Sequence, residues 1–120
     1  MAESNDVEAA LNGLDQILFQ SGTDVILAES LPVLDEAAAL MIANPDLTFE
    51  VGGHTDSRGD DASNQSLSER RSAAVVAALV ERDVANELTP RGFGETRLQE
   101  DPDDTAEQQQ INRRIEFQIL

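Results

Sequence analysis

Residues 50–98 read EVGGHTDSRGDDASNQSLSERRSAAVVAALVERDVANELTPRGFGETRL, and this stretch decides the fold. Leu47, Phe49 and Val51 alternate with polar residues, which predicts a strand over residues 47–53. Gly52-Gly53 at its end permits a close approach by another group. Residues 54–65, HTDSRGDDASNQ, predict a polar loop. Ser66 and Glu69 then match a capping box that opens a long helix running to about Arg82. A further strand is expected over residues 87–91, with Gly92 and Gly94 forming a turn around Phe93.

Toward the N-terminus, Val7, Ala10, Leu11 and Leu14 predict one face of a short helix within residues 1–15, an extension ahead of a domain at 16–120. The apolar run Ile17-Leu18-Phe19 predicts a buried strand that ends in a Gln-Ser-Gly-Thr turn. Ser30 precedes a helix whose first turn tolerates Pro32, with Leu31, Leu34, Ala38, Met41 and Ile42 at helical spacing. Asn44-Pro45 stops it. Toward the C-terminus, 95–104 is an acidic loop, and Thr105 with Gln108 matches a second capping box. A last strand is expected over residues 114–120, with Ile115, Phe117 and Ile119 on one face and a wet opposite face. The alternation of strands and helices predicts an α/β two-layer sandwich, a mixed sheet with helices packed on one face.

The chain has 120 residues, the size of one domain able to bury a core without staples. Twenty-four acids face eight bases, for a formal charge of −16, and every base is an arginine. Such a surface repels phosphate and anionic lipid, so nucleic acid is not an expected partner. No apolar run approaches a bilayer's width, so this segment is not expected to insert in a membrane. The N-terminus lacks the basic region and apolar stretch of a signal peptide; an exported protein would carry one in a longer precursor. Cysteine is absent, which excludes disulfides and thiolate chemistry.

Leu67, Arg71, Val75 and Ala78 fall on one helical stripe. Arg71 is thus a guanidinium on an otherwise apolar stripe, where a charge needs a partner. Helical side chains lean toward the helix N-terminus, so Arg71 reaches back toward His54-Thr55-Asp56. The exposed amides of that helix end would help it hold a carboxylate. Asp56, at the carboxyl end of a central strand, would accept hydrogen bonds from an ammonium group. A pocket of this kind suits a zwitterion such as the free end of an amino acid. The alternative on the same spacing is an internal Asp56–Arg71 salt bridge pinning the loop to the helix.

Four blocks carry a resemblance. They are Gly53-His54-Thr55-Asp56 with Gly59 and Asn64; Leu67-Ser68 with Arg71 and Val75; Gly92-Phe93-Gly94-Glu95; and Asn112-Arg113-Arg114-Ile115-Glu116. In order and spacing, over roughly residues 17–120, they resemble the OmpA-like domain. That resemblance implies a β-α-β-α-β-β sandwich and noncovalent binding of peptidoglycan in the periplasm, anchoring an envelope protein to the cell wall. It implies that Asp56 takes the ammonium, and Arg71 the carboxylate, of diaminopimelate in the stem peptide. Asn64 would shape the loop, and Thr55, Gly53 and Leu67 complete the expected ligand-binding set. Gln108-Gln109 stands where the family often has Gly-Arg, and Ser63 where an aromatic often precedes the loop asparagine. A single site would bind in roughly the micromolar to millimolar range, so anchoring would rely on many copies along one polymer.

The second reading is a protein-interaction or scaffolding domain of the same fold without peptidoglycan binding. The third, an enzyme, finds no support: no nucleophile elbow is present, and His54, Asp56 and Ser57 on one extended segment do not converge. His54 is expected to hydrogen-bond across the loop. Asp56, Asp60 and Asp61, and Asp101, Asp103 and Asp104, fit no calcium loop and read as solvated acidic loops. No metal, cofactor or catalytic residue is expected. Phe19, Phe49, Phe93 and Phe117 read as core. A dimer is one expected assembly, which the sequence alone does not decide.

Overall fold

The computed structural model describes residues 4–120, with side chains from residue 6 onward. Its sheet has three strands in the order β2-β1-β3: β1 (Phe49–His54) at the centre, β2 (Leu88–Gly94) and β3 (Arg114–Ile119) at the edges. β1 runs parallel to β2 and antiparallel to β3, so the sheet is mixed, as expected. Pro90, which lacks an amide proton, is accommodated because β2 is an edge strand.

Register explains how the two faces differ. Phe49, Val51 and Gly53 lie opposite Ile119, Phe117 and Ile115, and residues directly opposite share a face. On this face Phe49 and Val51 are fully buried, with Val75 and Leu79 of α3 (Asp61–Glu81) in the same core cluster. Glu50, Gly52 and His54 lie opposite Gln118, Glu116 and Arg114 on the other face. That face is not simply wet. His54 is 4% exposed and stacks on Phe93, with ring centroids 5.0 Å apart, while Arg91 and Arg97 lie against the Phe93 ring.

Helix α3 packs on β1 and β2, α1 (Ser4–Asn12) on β3, and α2 (Leu31–Ile42) on α3. Val7 and Leu11 bring α1 into the common core, but Ala10 is exposed. The part of the expected first helix over residues 1–3 lies outside the described residues. In α2 the buried face is Val33, Leu34, Ala37, Ala38 and Met41; Leu31 and Ile42, expected inside, are exposed. Ser30 is not used as a side-chain cap. Its hydroxyl accepts from the Leu18 amide instead, tying the N-terminal turn to the helix start.

Three expectations are corrected. Ile17-Leu18-Phe19 is not a sheet strand: Phe19 forms only an isolated antiparallel bridge with Ile26, in a small hairpin whose turn holds Gly22 at φ +72°. The long helix opens five residues before Ser66. Asp60 caps it, its carboxylate accepting from the Ser63 amide, so the polar loop ends at Asp60. β2 runs on through the expected turn to Gly94. The capping box at Thr105 and Gln108 is present and starts the short helix α4 (Ala106–Asn112).

Candidate functional site

Gly53 shows why the carboxyl end of β1 is built as it is. A Cβ there would lie 2.4 Å from the Ser68 carbonyl oxygen, and one on Gly92 would lie 2.5 Å from the Glu69 amide nitrogen. The absent side chains let α3 lie directly on the sheet at Ser68 and Glu69. The close approach anticipated from Gly52-Gly53 is therefore made by this protein's own helix.

This packing sets one wall of a cleft of about 490 Å³. β1 and its exit supply Gly53, His54, Thr55, Asp56, Arg58 and Gly59. Helix α3 supplies Asn64, Leu67 and Arg71; the hairpin supplies Phe19 and Gly22; the α4–β3 junction supplies Arg113 and Arg114. All six residues expected to bind ligand thus line one cavity. Arg58, Arg71, Arg113 and Arg114, four of the chain's eight arginines, meet there with Asp56 as the sole lining acid among the described residues. The cleft is cationic within a chain of formal charge −16.

Asp56 is 5% exposed and carries four hydrogen bonds. Its Oδ1 accepts from the Arg58 amide at 2.9 Å and Arg58 Nε at 3.1 Å. Its Oδ2 accepts from Arg58 Nη2 at 2.9 Å and Arg113 Nη1 at 2.6 Å. Burial alone would raise the carboxyl's pKa, but the hydrogen bonds from Arg58 and Arg113 outweigh it and hold it at about 2. Asp56 is therefore a carboxylate at any physiological pH.

Arg71 is 8% exposed and forms no ion pair with any described residue. Its Nε donates to the Thr23 carbonyl at 2.7 Å, and its guanidinium carbon lies 4.9 Å from the Phe19 ring centroid. Burial, with repulsion from Arg113 and Arg70, lowers its pKa from the ordinary arginine value. The internal Asp56–Arg71 salt bridge is absent. The helix N-terminus is not beside Arg71 either. Ten residues of α3 separate Arg71 from Asp61, about 15 Å of helix, and Asp60 caps the first turn. Any anion beside Arg71 meets a guanidinium rather than helix-end amides.

Asn64 shapes the loop, donating to the Arg58 carbonyl at 2.9 Å and Glu95 Oε1 at 3.3 Å. The Thr55 amide donates to the Gly94 carbonyl, continuing the strand pairing, while its hydroxyl is buried without a partner among the described residues. Asp103, expected in a solvated acidic loop, is 5% exposed. It accepts from the Ser57 amide at 2.9 Å, from the Ser57 hydroxyl, and from Asn112 Nδ2 at 3.0 Å. Asn112, fully buried, also accepts from the Gln99 and Glu100 amides and donates to the Glu100 carbonyl. This network fixes the segment following Asp56 against α4. Among the described residues His54 makes no cross-loop hydrogen bond: Nδ1 has no partner there and Nε2 lies 3.8 Å from Glu116. Burial and the nearby Arg114 push its pKa down to about 4, against the opposing pull of Glu116.

The sequence assigns no site role to Arg58, names Arg113 and Asn112 only as part of the resemblance, and presents Asp103 only as a solvated loop acid. Arg58 follows Asp56 by two residues, the spacing at which an aspartate accepts from a following amide, and that signal was available. Arg113 reaches Asp56 only because β3 pairs antiparallel with β1, which brings Arg114 opposite His54.

A family model described as the OmpA family matches residues 18–113. Photosystem I P700 chlorophyll a apoprotein A2 of Gloeobacter violaceus is 33% identical, over 88% of this chain and 13% of that protein. Outer membrane porin F of Pseudomonas fluorescens is 36% identical, over 86% of this chain and 32% of that protein. This chain thus spans under a third of either relative. The crystal structure of the peptidoglycan-associated lipoprotein from Burkholderia pseudomallei superposes with a TM-score of 0.78 at 24% identity, covering 97% of this chain and 98% of that one, which speaks for the fold alone.

Proposed function

We propose, since the chain belongs to the OmpA family, that it binds peptidoglycan noncovalently through the diaminopimelate of a stem peptide. The carboxylate of that residue seats on Arg71 and its ammonium on Asp56. Thr55, Gly53, Asn64 and Leu67 form the wall around them. Binding of this kind would anchor an envelope protein to the wall on the periplasmic side. The fold shared with a lipoprotein named for its association with peptidoglycan supports this reading.

The observation that carries it is Arg71. A guanidinium that is 8% exposed, with no acidic partner among the described residues, sits in a cleft that also holds a fixed carboxylate. Charges are seldom buried unpaired, so a ligand carboxylate is the group the site lacks. Each charge-assisted contact is worth about 1.5–3 kcal/mol before association costs are subtracted, which favours a weak single site multiplied along the polymer.

The test is titration of a diaminopimelate-containing stem peptide into the labelled domain while backbone amide shifts are followed. Perturbation confined to residues 17–23, 53–75 and 110–115 is the expected result. No perturbation at millimolar peptide would leave the fold serving a protein partner instead. Retention of Asp56→Ala and Arg71→Ala on purified cell wall, undiminished from the parent chain, would refute the assignment of the site.

A further inference from the structure

The carboxylate proposed to receive the ligand's ammonium is already full. An ionised carboxylate offers about four lone-pair sites. On Asp56 all four are taken, by three donors from Arg58 and one from Arg113. An incoming ammonium must replace one of these donors.

The surrounding contacts single out which donor leaves. The Arg58 amide is held in place because the Arg58 carbonyl accepts from Asn64 Nδ2 at 2.9 Å. Arg113 is held at its other end, where Nη2 donates to Gln110 Oε1 at 2.7 Å, and its side chain is 29% exposed. The Arg58 side chain is 61% exposed, and among the described residues its only hydrogen bonds are those to Asp56. Among the described residues it is the one cation in the cleft that can swing into solvent without breaking any other hydrogen bond.

Resting on the peptidoglycan reading, we infer that Arg58 is a tethered occupant of the ammonium site, which a ligand amine must displace in order to bind. The guanidinium keeps the buried Asp56 paired when the cleft is empty. It also sets a specificity. A ligand carrying both carboxylate and amine can bind Arg71 and take over Asp56. A ligand with a carboxylate alone gains Arg71 but has nothing to exchange for Arg58. The backbone contact from the Arg58 amide is independent of the side chain, so Asp56 stays oriented after the exchange.

The experiment compares the parent domain with Arg58→Ala. Two probes are used: a stem tripeptide bearing diaminopimelate with its side-chain amine free, and the same peptide acetylated on that amine. The Arg58 end of the pair is largely exposed and exchanges its contact for water, so removing the competitor is expected to tighten binding of the free-amine peptide by about two- to fivefold. The acetylated peptide is expected to gain nothing. In the parent domain, the Arg58 Nε–H resonance is expected to move toward its solvent-exposed position as the free-amine peptide saturates the site. Weaker or unchanged binding of that peptide by Arg58→Ala, or an equal gain with both peptides, overturns the role given to Arg58 while the peptidoglycan reading stands. Failure of the parent domain to bind either peptide overturns both.

Discussion

Asp56 and Arg71 face one cleft without touching. The carboxylate is held by Arg58 and Arg113, and the guanidinium by the Thr23 carbonyl and the Phe19 ring. A structural ion pair would have joined them. Their separation leaves Arg71 as a cation whose surroundings disfavour charge, since burial and two neighbouring arginines lower its pKa. Replacing it with an apolar side chain of similar length removes that penalty and keeps the stem's packing. Arg71→Met is therefore expected to melt at or above the parent temperature, yet to bind stem peptide at least about tenfold more weakly, the loss of one charge-assisted contact. Thermal melts and peptide titration on the same sample check the two halves together.

If Arg71 reads a carboxylate, the chemical state of that group matters as much as the residue. Amidation of the free diaminopimelate carboxylate keeps the shape and removes the charge. The parent domain is expected to bind the amidated peptide about tenfold more weakly, whereas Arg71→Met should hardly distinguish the two forms. The four titrations close a double-mutant cycle, and an interaction energy near zero would place the carboxylate elsewhere.

Much of this was legible in the sequence because it depends on local pattern. The central strand and the capping box at Thr105 follow from periodicity and side-chain chemistry within a few residues, whereas the stripe carrying Arg71 is read only in part: the buried face of α3 is Ser68, Arg71, Ser72, Val75 and Leu79, with Leu67 and Ala78 half-buried. The sequence does not decide the start of α3, because Asp60 and Ser66 each precede a stretch able to form a first turn. What settles it is the Asp60 carboxylate closing on the Ser63 amide after the Gly59 turn at φ +89°. The sheet strand expected at Ile17 does not form, because an apolar triplet does not say whether a neighbour offers a free edge. The pairing of Asp56 lay further out of reach. Its contact with Arg113 spans 57 residues and exists only after β3 has docked antiparallel on β1. The Ser57–Asp103–Asn112 network is hidden for the same reason, since an aspartate in an acidic loop reads as solvated until its partners are placed.

His54 links the site's rear wall to pH. Its folded pKa of about 4 lies below the ordinary value of 6.5. Between these values the unfolded chain holds a proton that the folded chain refuses. The contribution of this residue is therefore fully present above pH 6.5 and is lost progressively as pH falls from 6.5 toward 4. The loss attributable to this residue is roughly 2 kcal/mol at pH 5. Denaturant unfolding at pH 7 and pH 5 should show that decrement in the parent domain and a smaller one in His54→Gln. Equal decrements in both would mean that other groups govern the acid limb.

Gly53 joins the fold to the site, and its substitution separates packing from ligand chemistry. Its absent side chain is required by the Ser68 carbonyl of α3, which a new Cβ would meet at 2.4 Å. The obstructing atom belongs to a helix backbone, so nothing flexible can give way, and the helix must shift off β1 and β2 together. Overpacking of a close-packed interior typically costs about 1–3 kcal/mol, and a clash against backbone belongs at the upper end. Gly53→Ala is expected to lose about 3 kcal/mol in denaturant unfolding. Because the same shift moves Leu67 and Arg71 relative to Asp56, its peptide affinity should fall even at temperatures where the variant remains folded. Gly22→Ala supplies the contrast: it lies in the cleft's opposite rim with nothing within 4 Å of a new Cβ, and its φ of +72° confines the cost to backbone strain. A Gly53→Ala variant as stable as the parent would mean that α3 does not rest on β1 at Ser68, and the placement of Arg71 over the cleft would fall with it.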